Sequence, residues 1–190
     1  ITPPPDARFP TLSPDLHSLA YLNESGKAFL IQKNHSDSQQ AIPLSPGSQS
    51  HPKYHQLEYS PDSERLALIG NTEQSGIVDL FSIEKGKPQW LQRFDHPSPI
   101  TVTRFHPDSH LLAIGDQKAH ITLFNLKKDS PPITLYSDKF PFSRTPNDLA
   151  FRPGTTQIAA ISNESYQILL WDWTPQKLIT HIHHSNHPTS

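Results

Sequence analysis

The sequence predicts an all-β fold assembled from repeated four-stranded antiparallel units, and three observations carry that prediction. First, a proline turn with matching flanks recurs: Pro14 in "TLSPDLHSLAYL", Pro61 in "EYSPDSERLALIG", Pro107 in "RFHPDSHLLAIG" and Pro153 in "AFRPGTTQIAAIS", at intervals of 47, 46 and 46 residues. Second, short apolar runs sit at matching offsets around each turn, bounded by Gly, Pro, Asn and Asp, which is the pattern of strands. Third, the 190 residues include 20 prolines, and proline opposes helix interiors while favouring turns.

Each unit follows one order. An alternating run leads into the turn in "HQLEYS", "TVTRFH" and "NDLAFR"; the first unit shows no clear counterpart. The turn follows, with Pro presetting φ and Asp15, Asp62 or Asp108 able to bond the backbone just ahead. A second run comes next: "SLAYL", "RLALIG", "LLAIG" and "QIAAIS". After a polar loop comes a third: "KAFLIQ", "GIVDLFSI", "HITLFNL" and "QILLWDW". A weaker fourth closes the unit: "QQAIPL", "QWLQRF", "ITLYS" and "KLITHI". Four short strands in such a unit match a propeller blade, whose repeat is about 40–50 residues. The blades fall at 7–48, 49–95, 96–139 and 140–190, one propeller segment over 1–190. Four blades are visible; a closed four-bladed ring and part of a seven-bladed ring both remain open. The missing Met start favours a segment of something larger, whose terminal blades would expose apolar faces and self-associate.

Composition narrows function. Net charge is −2 and there is no basic excess, so nucleic acid is not an expected partner. No apolar run is long enough to span a membrane as a helix. With no cysteine, disulfides and thiolate metal sites are excluded. A cytoplasmic location is expected, with a periplasmic or secreted one still open.

Two stretches, "HPSPITVTRFHPDSHLLAIGDQKAHITLFNL" and "LAFRPGTTQIAAISNESYQILLWDW", resemble the WD-repeat β-propeller family. The naming dipeptide occurs once, as Trp171-Asp172; Phe124-Asn125, Phe81-Ser82 and Ile31-Gln32 hold its place elsewhere. The resemblance implies that an aromatic such as Phe124 plugs the gap between blades. It also implies a His before the first strand, matched by His96, bonded to a loop Asp, for which Gln117–Lys118 stand here instead. "LSPDLHSLAYLNESGKAFLI" is also similar to TolB-like and prolyl-oligopeptidase-type propellers, but no Gly-x-Ser-x-Gly elbow occurs.

The resemblance implies a non-catalytic protein-interaction scaffold, read through loops on the propeller face. Carried onto this chain, the contact residues are Asn71, Glu73, Asp116, Lys118, His120, Phe142, Arg144, Asn163 and Glu164. No catalytic residue, cofactor or metal is expected, because no assembled constellation is visible. The tail "THIHHSNHPTS" reads as a strand with Ile179 and Ile182 inward and histidines outward, followed by a loop. Two other readings stay open. One is a sensor or substrate-gating propeller of a larger secreted protein or peptidase, and the other is a propeller binding a small ligand or metal in its channel.

Overall fold

A computed structural model of the chain describes residues 1–33, 41–46, 53–84, 87–127, 130–136, 145–162 and 167–183. Its contacts divide into two units, residues 1–100 and 101–190.

The first unit holds two sheets, each a meander in chain order. One comprises β1 (Arg8–Leu12), β2 (Ser18–Leu22), β3 (Ala28–Gln32) and β4 (Ala41–Leu44). The next comprises β5 (Tyr54–Tyr59), β6 (Arg65–Asn71), β7 (Gly76–Glu84) and β8 (Lys87–His96). Every neighbouring pair is antiparallel. Inner strands are apolar on both faces, and β2 is buried along its whole length. Proline is confined to edge strands, as Pro10 in β1, Pro43 in β4 and Pro88 in β8, where a missing N–H breaks no ladder. β1 also carries a register irregularity between Arg8 and Thr11, with Phe9 at φ 49°. This Pro-containing, irregular edge strand has no alternating signal, which is why it escaped the sequence reading.

Leu22 and Leu30 of the first sheet pack with Leu57, Leu66, Leu68 and Phe81 of the second in one core. Burying a Leu or Phe side chain contributes about 1.5–3 kcal/mol, so this contact is a large stabilising term for the unit. On its other side the first sheet buries Leu19, Tyr21 and Ile31 beneath Ile1 and Ala7.

The second unit repeats the plan. β9 (Ile100–Phe105), β10 (Leu111–Asp116), β11 (Ile121–Asn125) and β12 (Ile133–Leu135) form one sheet. The other is β13 (Asp148–Phe151), β14 (Gln157–Ser162), β15 (Gln167–Asp172) and β16 (Lys177–His183). Ile121, Leu123 and Leu135 pack with Leu149, Ile158, Leu169 and Trp171. Across these two sheets Arg104 reaches the carboxylate of Asp148 at 2.8 Å and the carbonyl of Leu149 at 3.1 Å. Ile179 and Ile182 are exposed, contrary to the inward placement read from alternation. The described residues contain no helix, and none long and apolar enough to cross a membrane.

Candidate functional site

The proline turn is the element that places the site. In the first sheet the Leu16 N–H bonds the Ser13 carbonyl at 2.9 Å, and Leu16 takes φ 63°. Ser13 Oγ donates to Asp15 Oδ1 at 2.6 Å and accepts the Ser18 N–H at 2.9 Å, while Asp15 Oδ1 accepts the His17 N–H at 3.0 Å. The Ser13 hydroxyl, then the His17 N–H, hold the Asp15 carboxyl below its ordinary value. The second sheet repeats this: Ser60 Oγ donates to Asp62 Oδ1 at 2.5 Å and accepts the Arg65 N–H at 2.9 Å. In the fourth copy, Arg152-Pro153-Gly154, Gly154 stands at the Asp position with φ 69°.

The third copy departs from this economy. His106 replaces the serine, and His110 lies four residues on, so two imidazoles flank Asp108. His106 Nδ1 bonds Asp108 Oδ1, and His110 Nδ1 approaches the same oxygen at 2.6 Å. Partial burial raises the Asp108 carboxyl; the hydrogen bond and charge of His106, with the charge of His110, outweigh it and leave the group below its ordinary value. The His106 side chain is only 8% exposed. Its ring meets Phe151 at 4.9 Å and Trp173 at 5.6 Å, both edge-on, and its Nε2 has no hydrogen-bond partner among the described residues. His110 is a third exposed. It lines an open cleft of about 550 Å³ with Leu111, Asn125, Ser130, Trp173 and Thr174. That volume suits a small ligand.

Chemically, a carboxylate that accepts Nδ1–H from an imidazole fixes the tautomer and leaves Nε2 as a base. The donor atoms of His106, Asp108 and His110 also lie within 4.8 Å of one another, and imidazole with carboxylate is a donor set that transition metals take.

A second polar cluster, in the first unit, is closed. Asp79 on β7 is fully buried. It accepts from Tyr54 Oη at 2.6 Å, Trp90 Nε1 at 3.1 Å, Arg93 Nε at 3.0 Å and Arg93 Nη2 at 2.8 Å. Burial, then the Asp79 hydrogen bond, push the Tyr54 phenol far up; the hydrogen bond to Asp79 raises Arg93. With every acceptor taken, this network clamps β5, β7 and β8 and offers no reactive group.

The loop residues chosen from sequence are placed one by one within their units. The Asn71 amide bonds both the N–H (2.9 Å) and the C=O (2.8 Å) of Ile100, the last residue of the first unit. Glu73 and Lys118 are exposed. Asp116 is buried and caps its loop through the N–H groups of Lys118 and His120, both at 2.9 Å. His120 lies edge-on to Tyr136. His96 is buried with Nδ1 at 3.0 Å from the Ser98 carbonyl. Phe124 is half-buried, and Trp171 is in the core. Phe142, Arg144, Asn163 and Glu164 lie outside the described residues. What sequence reasoning missed was His106 and His110. The available signal was "HPDSH" against "SPDLH" and "SPDSE", where a bulky imidazole replaces a serine that already suffices for the turn.

Fold and site together define an all-β protein with the four-stranded antiparallel blades of a β-propeller. No protein-family model matches the chain. A solved structure from Bacteroides uniformis, a "putative 6-phosphogluconolactonase", superposes with a TM-score of 0.66 over 93% of this chain and 55% of its own, at 14% identity. Among curated proteins, dynein axonemal assembly factor 10 of Xenopus tropicalis and of Xenopus laevis are each 29% identical over 86 residues. The match takes in 43% of this chain and 24% of each relative, so the chain spans about a quarter of their length. At their identities these likenesses carry the fold and a partial sequence match.

Three expectations are corrected by the structural match. The resemblance to WD-repeat propellers is not upheld: no family model matches, and the solved structure that superposes is named a "putative 6-phosphogluconolactonase", a likeness that at 14% identity carries the fold alone. The period and strand lengths that suggested it belong to propellers of many chemistries, and Trp171-Asp172 stands alone. The non-catalytic scaffold and the absence of enzymatic function are likewise not upheld, because the solved structure that superposes is itself named as an enzyme. The sensor, gating and channel-ligand readings fit that match no better.

Proposed function

We propose that this chain is part of a hydrolytic propeller that opens the cyclic ester of a small polyhydroxy acid. The observation that carries the reading is His110, oriented by Asp108 and lining the cleft beside Trp173, Asn125, Ser130 and Thr174. The fold match to a structure named as a lactonase supports it. Asp108 holds His110 through Nδ1, which lies 2.6 Å from its carboxylate and 3.3 Å from its carbonyl. His110 Nε2 takes a proton from water as its oxygen attacks the lactone carbonyl. The tetrahedral adduct collapses, the ring C–O bond breaks, and the departing alkoxide takes the proton back from His110. Trp173 supplies an apolar wall for the ring, while the amide of Asn125 and the hydroxyls of Ser130 and Thr174 suit a polyol's hydroxyls. His106, buried behind Asp108, holds the carboxylate in place.

The test is hydrolysis of glucono-δ-lactone and its 6-phospho form, followed by proton release above the spontaneous rate. His110→Gln is expected to lower kcat by about 10²-fold or more, the usual contribution of a general base, with Asp108→Asn lowering it less. A wild-type rate no greater than buffer, or a His110→Gln rate equal to wild type, overturns the proposal.

A further inference from the structure

The fourth sheet carries an apolar face at positions that are buried in the first and third sheets and, with Val78 buried and Phe94 half-buried, largely covered in the second. Register defines those positions. The cross-strand pairs Ala28↔Leu44, Val78↔Phe94, Ile121↔Leu135 and Ile168↔Ile182 are equivalent. Ala20↔Leu30, Ala67↔Leu80, Ala113↔Leu123 and Ala159↔Leu170 are their neighbours on the same face. Ala28 and Leu44 are 2% and 5% exposed, and Ile121 and Leu135 are 1% each; Ile168 and Ile182 are 37% and 55%.

Within each unit the structure also shows what covers such a face. In residues 1–100 it packs on Leu57, Leu66, Leu68 and Phe81 of the following sheet. In residues 101–190 it packs on Leu149, Ile158, Leu169 and Trp171. Both covers are the same surface: aliphatic residues on the first two strands and an aromatic on the third. A large exposed apolar patch on a folded chain marks an interaction site.

We infer that the Ile168–Ile182 face is the docking surface for a further four-stranded sheet of this repeat chemistry, bearing aliphatic residues at the places of Leu149 and Ile158 and an aromatic at that of Trp171. A second copy of this chain does not fit as occupant. The matching face of its first sheet, Leu19, Tyr21 and Ile31, is already buried under Ile1 and Ala7, and in the later sheets Leu66, Leu112 and Ile158 are fully buried.

The chain has no cysteine, so a single introduced thiol reports on the face without background. Ile182→Cys, and separately Ile168→Cys, are labelled with a thiol reagent in the 190-residue chain and in one extended by a second copy of residues 140–190. Fast labelling in the parent and slowing by at least about tenfold in the extended chain are expected, as a buried thiol reacts only through opening. Trp171→Lys in the appended copy alone should restore the fast rate. Equal rates in parent and extended chain overturn the inference. So does protection in the parent that grows with its concentration, since that assigns the face to a second copy.

Discussion

Arg93→Leu tests how a charge is tolerated in the middle of β7. Asp79 is fully buried, and the bidentate Arg93 contact supplies its counter-charge. Without Arg93 the carboxylate keeps only the neutral hydroxyl of Tyr54 and the indole N–H of Trp90. Breaking a buried pair by removing one partner costs about 3–5 kcal/mol, whereas replacing both partners with apolar residues is often close to neutral. The single variant should therefore lose about 3–5 kcal/mol. Asp79→Leu/Arg93→Leu should lose only about 1–3 kcal/mol, chiefly from the stranded Tyr54 hydroxyl. Urea unfolding followed by tryptophan fluorescence measures both, with Trp90 inside the network as reporter and linear extrapolation to water. A single variant costing under about 1 kcal/mol, or a double variant worse than the single, would refute a buried charge pair as the clamp of this sheet.

Further outcomes follow from the turns and the tyrosines. Leu16 is exposed yet sits at φ 63°, so Leu16→Gly should stabilise the fold by about 0.5–1 kcal/mol, the relief of a left-handed L-residue less the entropy of a freer unfolded chain; a loss in urea midpoint would count against it. Gly26 and Gly154 both have positive φ, but a Cβ at Gly26 falls 2.4 Å from Lys53 Cγ while one at Gly154 meets nothing within 4 Å. Gly154→Ala should cost about 1 kcal/mol and Gly26→Ala measurably more, as thermal unfolding of the pair would show. Burial, opposed in part by the Ser18 hydrogen bond, pushes the Tyr59 phenol up to about 12 from about 10 in an unfolded chain. A raised acid stabilises the fold fully below pH about 10, and that contribution, roughly 3 kcal/mol, is lost as pH climbs from about 10 to 12. Tyr59→Phe should flatten the decline in denaturant midpoint over that window, and an unchanged slope would contradict it.

Much of the fold was legible because strands, turns and period are local. The proline turns and apolar runs place the inner strands, since Ala, Leu and Ile at those offsets bury on both faces whatever the neighbours are. β1 was not legible: Pro10 and the Phe9 irregularity erase the alternation that marks a strand. The site was legible only in part. Asp108 was recognised as a turn residue, but its service to two imidazoles depends on His106 and His110 turning toward one oxygen. Asn125, Ser130, Trp173 and Thr174 reach the same cleft from different strand ends, and no spacing in the chain announces that convergence.

By itself, then, the sequence determined an all-β chain of four homologous four-stranded sheets. Backbone pleat and turn chemistry act over a few residues, and a 46-residue period leaves a mark that chance rarely copies. Tertiary structure alone decided which polar residues meet and which apolar face stays open. Asp79 and Asp108 are the same residue type, one buried between Arg93 and Tyr54, the other half exposed between two histidines. Their chemistry diverges because local dielectric and partner charge, set by residues far along the chain, govern what a carboxylate does.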